Sequence, residues 1–343
     1  MHKKVLVTGG TGYIGSHTVV ELIQKGFSVV IADSLENSDI TVLDGIEKIT
    51  GVRPIFEKID LSINYPTIEL FKKYQGFSAV IHFAAYKAVG ESVAEPLKYY
   101  RNNLNSLMNI LEGMSVTNTP NLVFSSSCTV YGQPEKLPVT EQTPIQEANS
   151  PYGNTKQISE EVIRDFIHIN EEINAVALRY FNPIGAHDSA LIGELPIGIP
   201  NNLVPFITQT AAGLRESLSV FGDDYNTLDG SAIRDYIHVV DLAKAHVIAI
   251  ERLADKINKS RIEYFNLGTG IGISVLECIK SFEKVSGKKL NYKIVGRRPG
   301  DIEKIWADTS FANRELNWKA EKTIDDAMLS AWNWEKNIRK IQQ

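Results

Sequence analysis

Eight residues near the start of the chain limit its fold more than any others. Thr8-Gly9-Gly10-Thr11-Gly12-Tyr13-Ile14-Gly15 follows the apolar run 5–7 and precedes a segment with helical spacing of apolar side chains. Gly9, Gly12 and Gly15 stand three residues apart. Such glycines reach backbone angles closed to other residues and let main-chain N–H groups approach an anion at the positive end of a helix. A tight strand–helix turn alone would also accept this pattern. Asp33, closing the next apolar run, stands at the distance expected of a carboxylate that binds a ribose hydroxyl. Residues 34–40 contain no Arg or Lys to neutralise a 2′-phosphate, so the pair of features predicts NAD rather than NADP.

The rest of the chain suits that start. Strands are predicted at Lys4–Thr8, Ser28–Asp33, 52–57, 79–84, 121–126 and Asn174–Tyr180. Helices are predicted at Tyr13–Gln24, 97–114 and 150–168, the second with Leu97, Tyr100, Leu104, Leu107, Met108 and Leu111 turned to the core. Strands alternating with helices imply an α/β fold: a Rossmann-type, doubly wound parallel sheet. After Tyr180 the pattern changes. Residues 182–202 read as loop, followed by helices near 203–213 and 239–253, a strand near 263–267 and a helix after Ser274. Residues 1–180 are therefore expected to bind NAD. Residues 181–343 would form mainly a smaller C-terminal α/β substrate lobe, with segments able to return to the first domain.

The best catalytic candidate is Ser150-Pro151-Tyr152-Gly153-Asn154-Thr155-Lys156. Ser150 suits an N-cap and Pro151 the first helical position, which puts Tyr152 and Lys156 on one helix face. Of 13 tyrosines, Tyr152 alone has a lysine four residues later. A phenol with a pKa near 10 is a poor base at neutral pH, and lowering it by about 3 units takes roughly 4 kcal/mol of preference for the phenolate. A lysine cation, an oxidised nicotinamide and a helix N-terminus all act in that direction. Hydroxyls in 125–132 can relay a proton to Tyr152, although loop hydroxyls also commonly cap turns.

Eight blocks then carry a family resemblance: TGGTGYIGSH, IHFAAYKAVGES, FSSSCTVYG, SPYGNTK, RYFNPIGAH, IPNNLVPF, RDYIHVVDLA and RRPGDIEKIWAD. Across 5–334 the chain resembles the UDP-glucose 4-epimerases of the extended short-chain dehydrogenase/reductases. The resemblance implies that Tyr152 is the catalytic base, Lys156 its activator and Ser127 the hydroxyl relay. Gly9, Gly12, Tyr13, Ile14, Gly15, Asp33, Asn37, Ser38, Asp60, Leu61, Phe83, Ala84, Lys87, Asn102 and Tyr180 would line the NAD site with Tyr152 and Lys156. Ser127, Thr129, Tyr152, Asn182, Asn202, Leu203, Phe221, Arg234, Arg298, Asp301 and Ile305 would hold a UDP-hexose. The implied reaction is reversible epimerisation at C4 through a 4-keto sugar. Cys128 and Tyr86 depart from the residues common in the family. Ile305 stands where the family gates the sugar pocket and is intermediate between its tyrosine and cysteine, which raises N-acetylated UDP-sugars as additional substrates.

A 4,6-dehydratase or decarboxylase on the same scaffold, and an NAD-sensing regulator without catalysis, are the alternatives. The absence of a carboxylate in 125–132 argues against the first and the Tyr152–Lys156 pair against the second. A net charge of −5 gives no basic field for nucleic acid. Two cysteines, no membrane-length apolar run and no signal-type N-terminus make a reduced cytoplasmic protein the expectation, with no membrane partner and no metal. The family implies a homodimer built on helices 97–114 and 150–168.

Overall fold

The computed structural model describes residues 3–298 and 302–341. The first half alternates strand and helix: β1 (Lys4–Thr8), α1 (Tyr13–Gln24), β2 (Ser28–Asp33), α2 (Val42–Thr50), β3 (Ile55–Lys58), α3 (Asn64–Lys73), β4 (Phe77–His82), α4 (Val89–Ala94), α5 (Pro96–Thr117), β5 (Asn121–Ser127), α6 (Pro151–Ile169) and β6 (Asn174–Tyr180). Then come β7 (Asn182–Ile184), α7 (Leu203–Ala211), β8 (Leu218–Phe221), β9 (Ile233–His238), α8 (Val239–Ala254), β10 (Ile262–Leu267), β11 (Gly272–Ser274), α9 (Val275–Ser286), β12 (Tyr292–Val295), β13 (Lys304–Ile305), α10 (Ser310–Glu315) and α11 (Ile324–Arg339).

One seven-stranded sheet runs β3-β2-β1-β4-β5-β6-β10, and every neighbouring pair is parallel. Its central strands are apolar on both faces because helices cover both. Val5, Val7 and Ile31 pack into one layer with residues of α1 and α8. Leu6, Val30 and Phe124 turn the other way, towards α5 and α6. Chain order reverses between β1 and β4, so the crevice beyond their carboxyl ends is the topological switch point.

The remaining strands are short. β7, β11 and β13 each pair with β9, and β8 pairs with β12. Ile184, Ile207, Val220, Phe282, Met328 and Trp332 form the core between these strands and α7, α9 and α11. β10 lies in the large sheet and α8 packs on α1, so the chain returns to its first half after β9.

Several expectations need correction. The third strand begins at Ile55, after Pro54, which has no N–H for a ladder. The fourth runs from Phe77 to His82, and the chain then turns. α2 and α3 had no predicted counterpart: Gly45 and Pro66 interrupt their patterns. Residues 182–202 are not all loop, since they contain β7. The largest error concerns α5. Leu97 and Met108 are 63% and 46% exposed, and Tyr100 and Leu104 are half-buried. Leu107 and Leu111 are buried as expected, but the rest of the buried face includes Tyr99, Asn103, Ser106, Ile110 and Met114. Buried hydrogen bonds set this phase: Asn109 donates to Leu61 O at 2.9 Å, and Asn103 bonds to the Tyr86 backbone and Thr155.

Candidate active site

The glycine loop turns sharply beneath the switch point. Gly9 has φ +68°, and a Cβ there would lie 2.8 Å from Ala84 N. A Cβ on Gly15 would lie 2.2 Å from Gly9 O, so α1 can enter this close only with glycine at that position. At Gly12 a Cβ would meet a single protein atom within 4 Å, Gly9 O at 3.1 Å, and would otherwise project into the crevice. Gly12 is also the N-cap of α1, and no side chain caps that helix end. The first turn, with Tyr13, Ile14 and Gly15, thus aims its dipole at the crevice and carries no acidic side chain of its own. These features fit a pyrophosphate.

Asp33, 8% exposed at the end of β2, organises the next loop. Its Oδ2 accepts from Thr11 N at 3.2 Å, and its Oδ1 from Leu35 N at 3.0 Å and Ser38 Oγ at 3.2 Å. Asn37 is exposed beside them. Past β3, Asp60 accepts from Ser62 while Leu61 is buried. Past β4, the Ala84 N–H donates to Thr8 Oγ1 at 3.3 Å, and the Phe83 ring lies 4.7 Å from that of His246. Lys87 sits 5.8 Å over the Tyr13 ring and 3.3 Å from Glu194. The Tyr13 hydroxyl donates to Gly185 O at 2.6 Å. Asn102 donates to Asn103 Oδ1 at 3.0 Å. Most of the expected cofactor residues therefore gather at the carboxyl ends of β1 to β4 and just beyond them, whereas Asn102 lies within α5, Tyr152 and Lys156 on α6, and Tyr180 at the end of β6.

Ser150 caps α6 by accepting from Gly153 N at 3.1 Å, with Pro151 in the first helical position. This directs Tyr152 and Lys156 inward, where they are 7% and 5% exposed. Tyr152 lies close enough to Ser127, the residue that ends β5, for that hydroxyl to favour the phenolate. Thr129 N donates to Ser127 Oγ at 3.2 Å, while the buried Thr129 Oγ1 has no partner among the described residues. An orphaned buried hydroxyl two residues past Ser127 fits a polar ligand. Tyr180 shares a 2.7 Å hydrogen bond with Ser125 Oγ.

Burial dominates the titration of both central groups. It pushes the Tyr152 phenol well above 10, with nearby Tyr180 adding and the Ser127 hydroxyl opposing. It draws the Lys156 ammonium down to about 8, against the pull of Glu160. Lys156 Nζ donates to Ser125 O at 2.7 Å, 6.0 Å from the Tyr152 ring centroid and 4.8 Å from that of Phe124. The protein's own groups therefore hold the phenol protonated.

The expected sugar-side residues come from distant parts of the chain. Asn182 opens β7 opposite Tyr236. Asn202 precedes Leu203 at the start of α7 and donates to Glu194. Phe221 ends β8, is 42% exposed and lies 5.7 Å under the Arg298 guanidinium. Arg234, half-buried in β9, donates to Ile233 O at 2.8 Å. Ile305 is its register partner in β13 and is 3% exposed, packed with Tyr131 and Phe181. Asp301 lies outside the described residues.

Sequence reasoning missed the supports behind these groups. Glu160 extends the Tyr152–Lys156 face by another four residues. It takes Arg179 Nε at 2.9 Å and Nη2 at 2.6 Å, with both side chains 5% exposed. A carboxylate at core-facing spacing was the signal for this buried pair. Glu194, between Lys87 and Asn202, and Asn103 carried no comparable signal. Among the described residues no group of three or more His, Cys, Asp or Glu could hold a metal.

A family profile described as GDP-mannose 4,6 dehydratase matches residues 6–330. UDP-glucose 4-epimerase 2 of Arabidopsis thaliana is 50% identical over 340 residues, 98% of this chain and 96% of that protein. The structure of a UDP-glucose-4-epimerase from Stenotrophomonas maltophila, with bound NAD and formylated UDP-arabinopyranose, superposes with a TM-score of 0.95. It is 47% identical, with 99% of this chain and 100% of that one covered. A UDP-glucose 4-epimerase from Bifidobacterium longum in complex with NAD+ and UDP gives a TM-score of 0.93 at 47% identity, with 98% of each chain covered.

Proposed function

The chain belongs to the UDP-glucose 4-epimerase family, and from that membership we propose that Tyr152, Ser127 and Lys156 carry its proton transfers. It is an NAD-dependent isomerase that interconverts UDP-glucose and UDP-galactose at C4 through a 4-keto sugar. Bound NAD supplies the hydride acceptor and donor. Tyr152 takes the proton of the 4-hydroxyl, directly or through Ser127, and later returns it to the 4-keto oxygen, while the turned sugar takes the hydride back on the opposite face of C4. Lys156, held by Ser125 O, keeps a positive charge beside the phenol. Since burial raises the phenol, ionisation awaits a further cation, which an oxidised nicotinamide brings; base activation is thereby tied to a loaded, oxidised site. Arg234 and Arg298 suit a diphosphate, because a guanidinium fork matches its oxygens.

We assign residues 1–180 to NAD and 181–343 mainly to the nucleotide sugar, with α8 and β10 returning to the large sheet. A homodimer through α5 and α6 and a cytoplasmic location complete the reading. The exposed apolar side chains of α5 support the dimer, and free Cys128 and Cys278 in separate clusters suit a reducing compartment. Among the described residues no helix is long and apolar enough to cross a membrane.

One observation carries the assignment of the base: Tyr152 is buried beside Ser127 and Lys156 at the sheet's carboxyl edge. The test is incubation with UDP-galactose and, separately, UDP-N-acetylglucosamine, followed by sugar and mass analysis. Epimerised product of unchanged mass is expected from UDP-galactose, whereas loss of water would point to a dehydratase. The second substrate measures the room left by Ile305. Tyr152→Phe should lower kcat by roughly 10²–10⁴-fold while NAD stays bound. Full turnover by that variant would remove Tyr152 as the base.

A further inference from the structure

Tyr86, the residue that departs from the family just before Lys87, donates its phenolic hydrogen to the Glu36 carboxylate fifty positions earlier in the chain. The topology gives this bond its meaning. Glu36 lies in the loop after β2, and Tyr86 in the loop after β4. In the sheet, β2 and β4 are the two neighbours of β1. A bond between their following loops must stride over the carboxyl end of β1, where the glycine loop begins.

Both ends are anchored. The Tyr86 N–H donates to Asn103 Oδ1 at 2.9 Å, and Asn103 Nδ2 returns a bond to Tyr86 O at 3.1 Å. The Tyr86 ring lies 5.5 Å from that of Tyr99, and Lys98 Nζ sits 4.7 Å over it. Glu36 stands between Leu35 and Ser38, both fastened to the Asp33 carboxylate. Asp60, in the loop after β3, is close enough to raise the Tyr86 phenol further, beyond the effect of burial and of Glu36 itself. Three successive loops therefore converge at the end of the crevice marked by Asp33.

We propose that the Tyr86–Glu36 bond is a clasp over the adenosine end of the dinucleotide groove that slows NAD release. The clasp rests on the reading of that groove as the NAD site. Its role is cofactor retention: an enzyme that gives up reduced cofactor in mid-cycle is left unable to finish the reaction. Neither side chain contacts Tyr152, Ser127 or Lys156, so chemistry at saturating NAD is independent of it.

The test loads the full-length enzyme with NADH, chases it with excess NAD and follows the decay of bound-NADH fluorescence. Tyr86→Phe and Glu36→Ala should each accelerate release by about threefold to tenfold, the scale of a partly exposed charge-assisted hydrogen bond. The double variant should release no faster than the faster single one, and kcat at saturating NAD should match the parent in all three. Release rates equal to the parent's, or effects that multiply in the double variant, would overturn the clasp. So would variants that lose thermal stability without a change in release, since that is the mark of a merely structural contact. A parent protein that binds no dinucleotide would overturn the groove itself and the clasp with it.

Discussion

Lys156 combines two demands that oppose each other: its charge is needed beside the phenol, and its burial disfavours that charge. The outcome is a folded-state pKa of about 8 against an ordinary 10.5. Between those values the unfolded chain binds more protons than the folded one, so stability rises with pH there. Below 8 both states are protonated and the folded state bears the full cost of the buried ammonium. Lys156→Met removes that cost together with its pH dependence. The parent should therefore gain on the variant, in urea denaturation of NAD-stripped protein, as pH rises from 8 to about 10. A stability difference that stays flat across that interval would mean the ammonium is better solvated than its 5% exposure implies. The Tyr152 phenol, which titrates near 10 in the unfolded chain, is common to parent and variant and so enters both curves.

Elements built on local chemistry could be read before the fold was known. The glycine turn, the Ser150 cap, Pro151 and the spacing of Tyr152 and Lys156 are short-range features, and each takes the same place in α1 or α6. What the sequence left illegible depends on partners far along the chain. Arg234 and Ile305 become neighbours only because a two-residue strand pairs with β9. The face of α5 was misread in part for a related reason: its buried side includes Asn103 and Asn109, whose partners come from other segments, so hydrophobicity alone turned Leu97, Tyr100, Leu104 and Met108 to the core. α6 follows the same rule one layer deeper. Glu160 also accepts from Ser126 at 2.6 Å, so its pairing with Arg179 joins α6, β5 and β6 behind the catalytic face. Arg179→Met would leave a carboxylate buried without its partner and should cost about 3–5 kcal/mol in chemical denaturation. Adding Glu160→Leu should recover much of that loss, because the cost lies in the unpaired charge. A single variant as stable as the parent would show that water reaches Glu160.

At the scale of the whole molecule, the proposed dimer rests on an apolar stripe left exposed along α5. Leu97 and Met108 are eleven residues apart, three helical turns, and so lie on the same face of α5, with half-buried Leu104 between them. α6 runs beside α5, tied to it by Asn154 Nδ2 donating to the Tyr100 hydroxyl at 2.6 Å. Two such helix pairs related by a twofold axis would bury this stripe against its own copy, the isologous arrangement favoured in homodimers. Charge placed there opposes association without entering the crevice. Leu97→Glu with Met108→Glu should therefore shift the protein from dimer to monomer in sedimentation at micromolar concentration. Its turnover per chain should stay within about twofold of the parent, since charge placed on exposed positions leaves the core contacts in place. A parent that already sediments as a monomer would remove the dimer. A monomeric variant without activity would show instead that association supports the site through the α5–α6 pair.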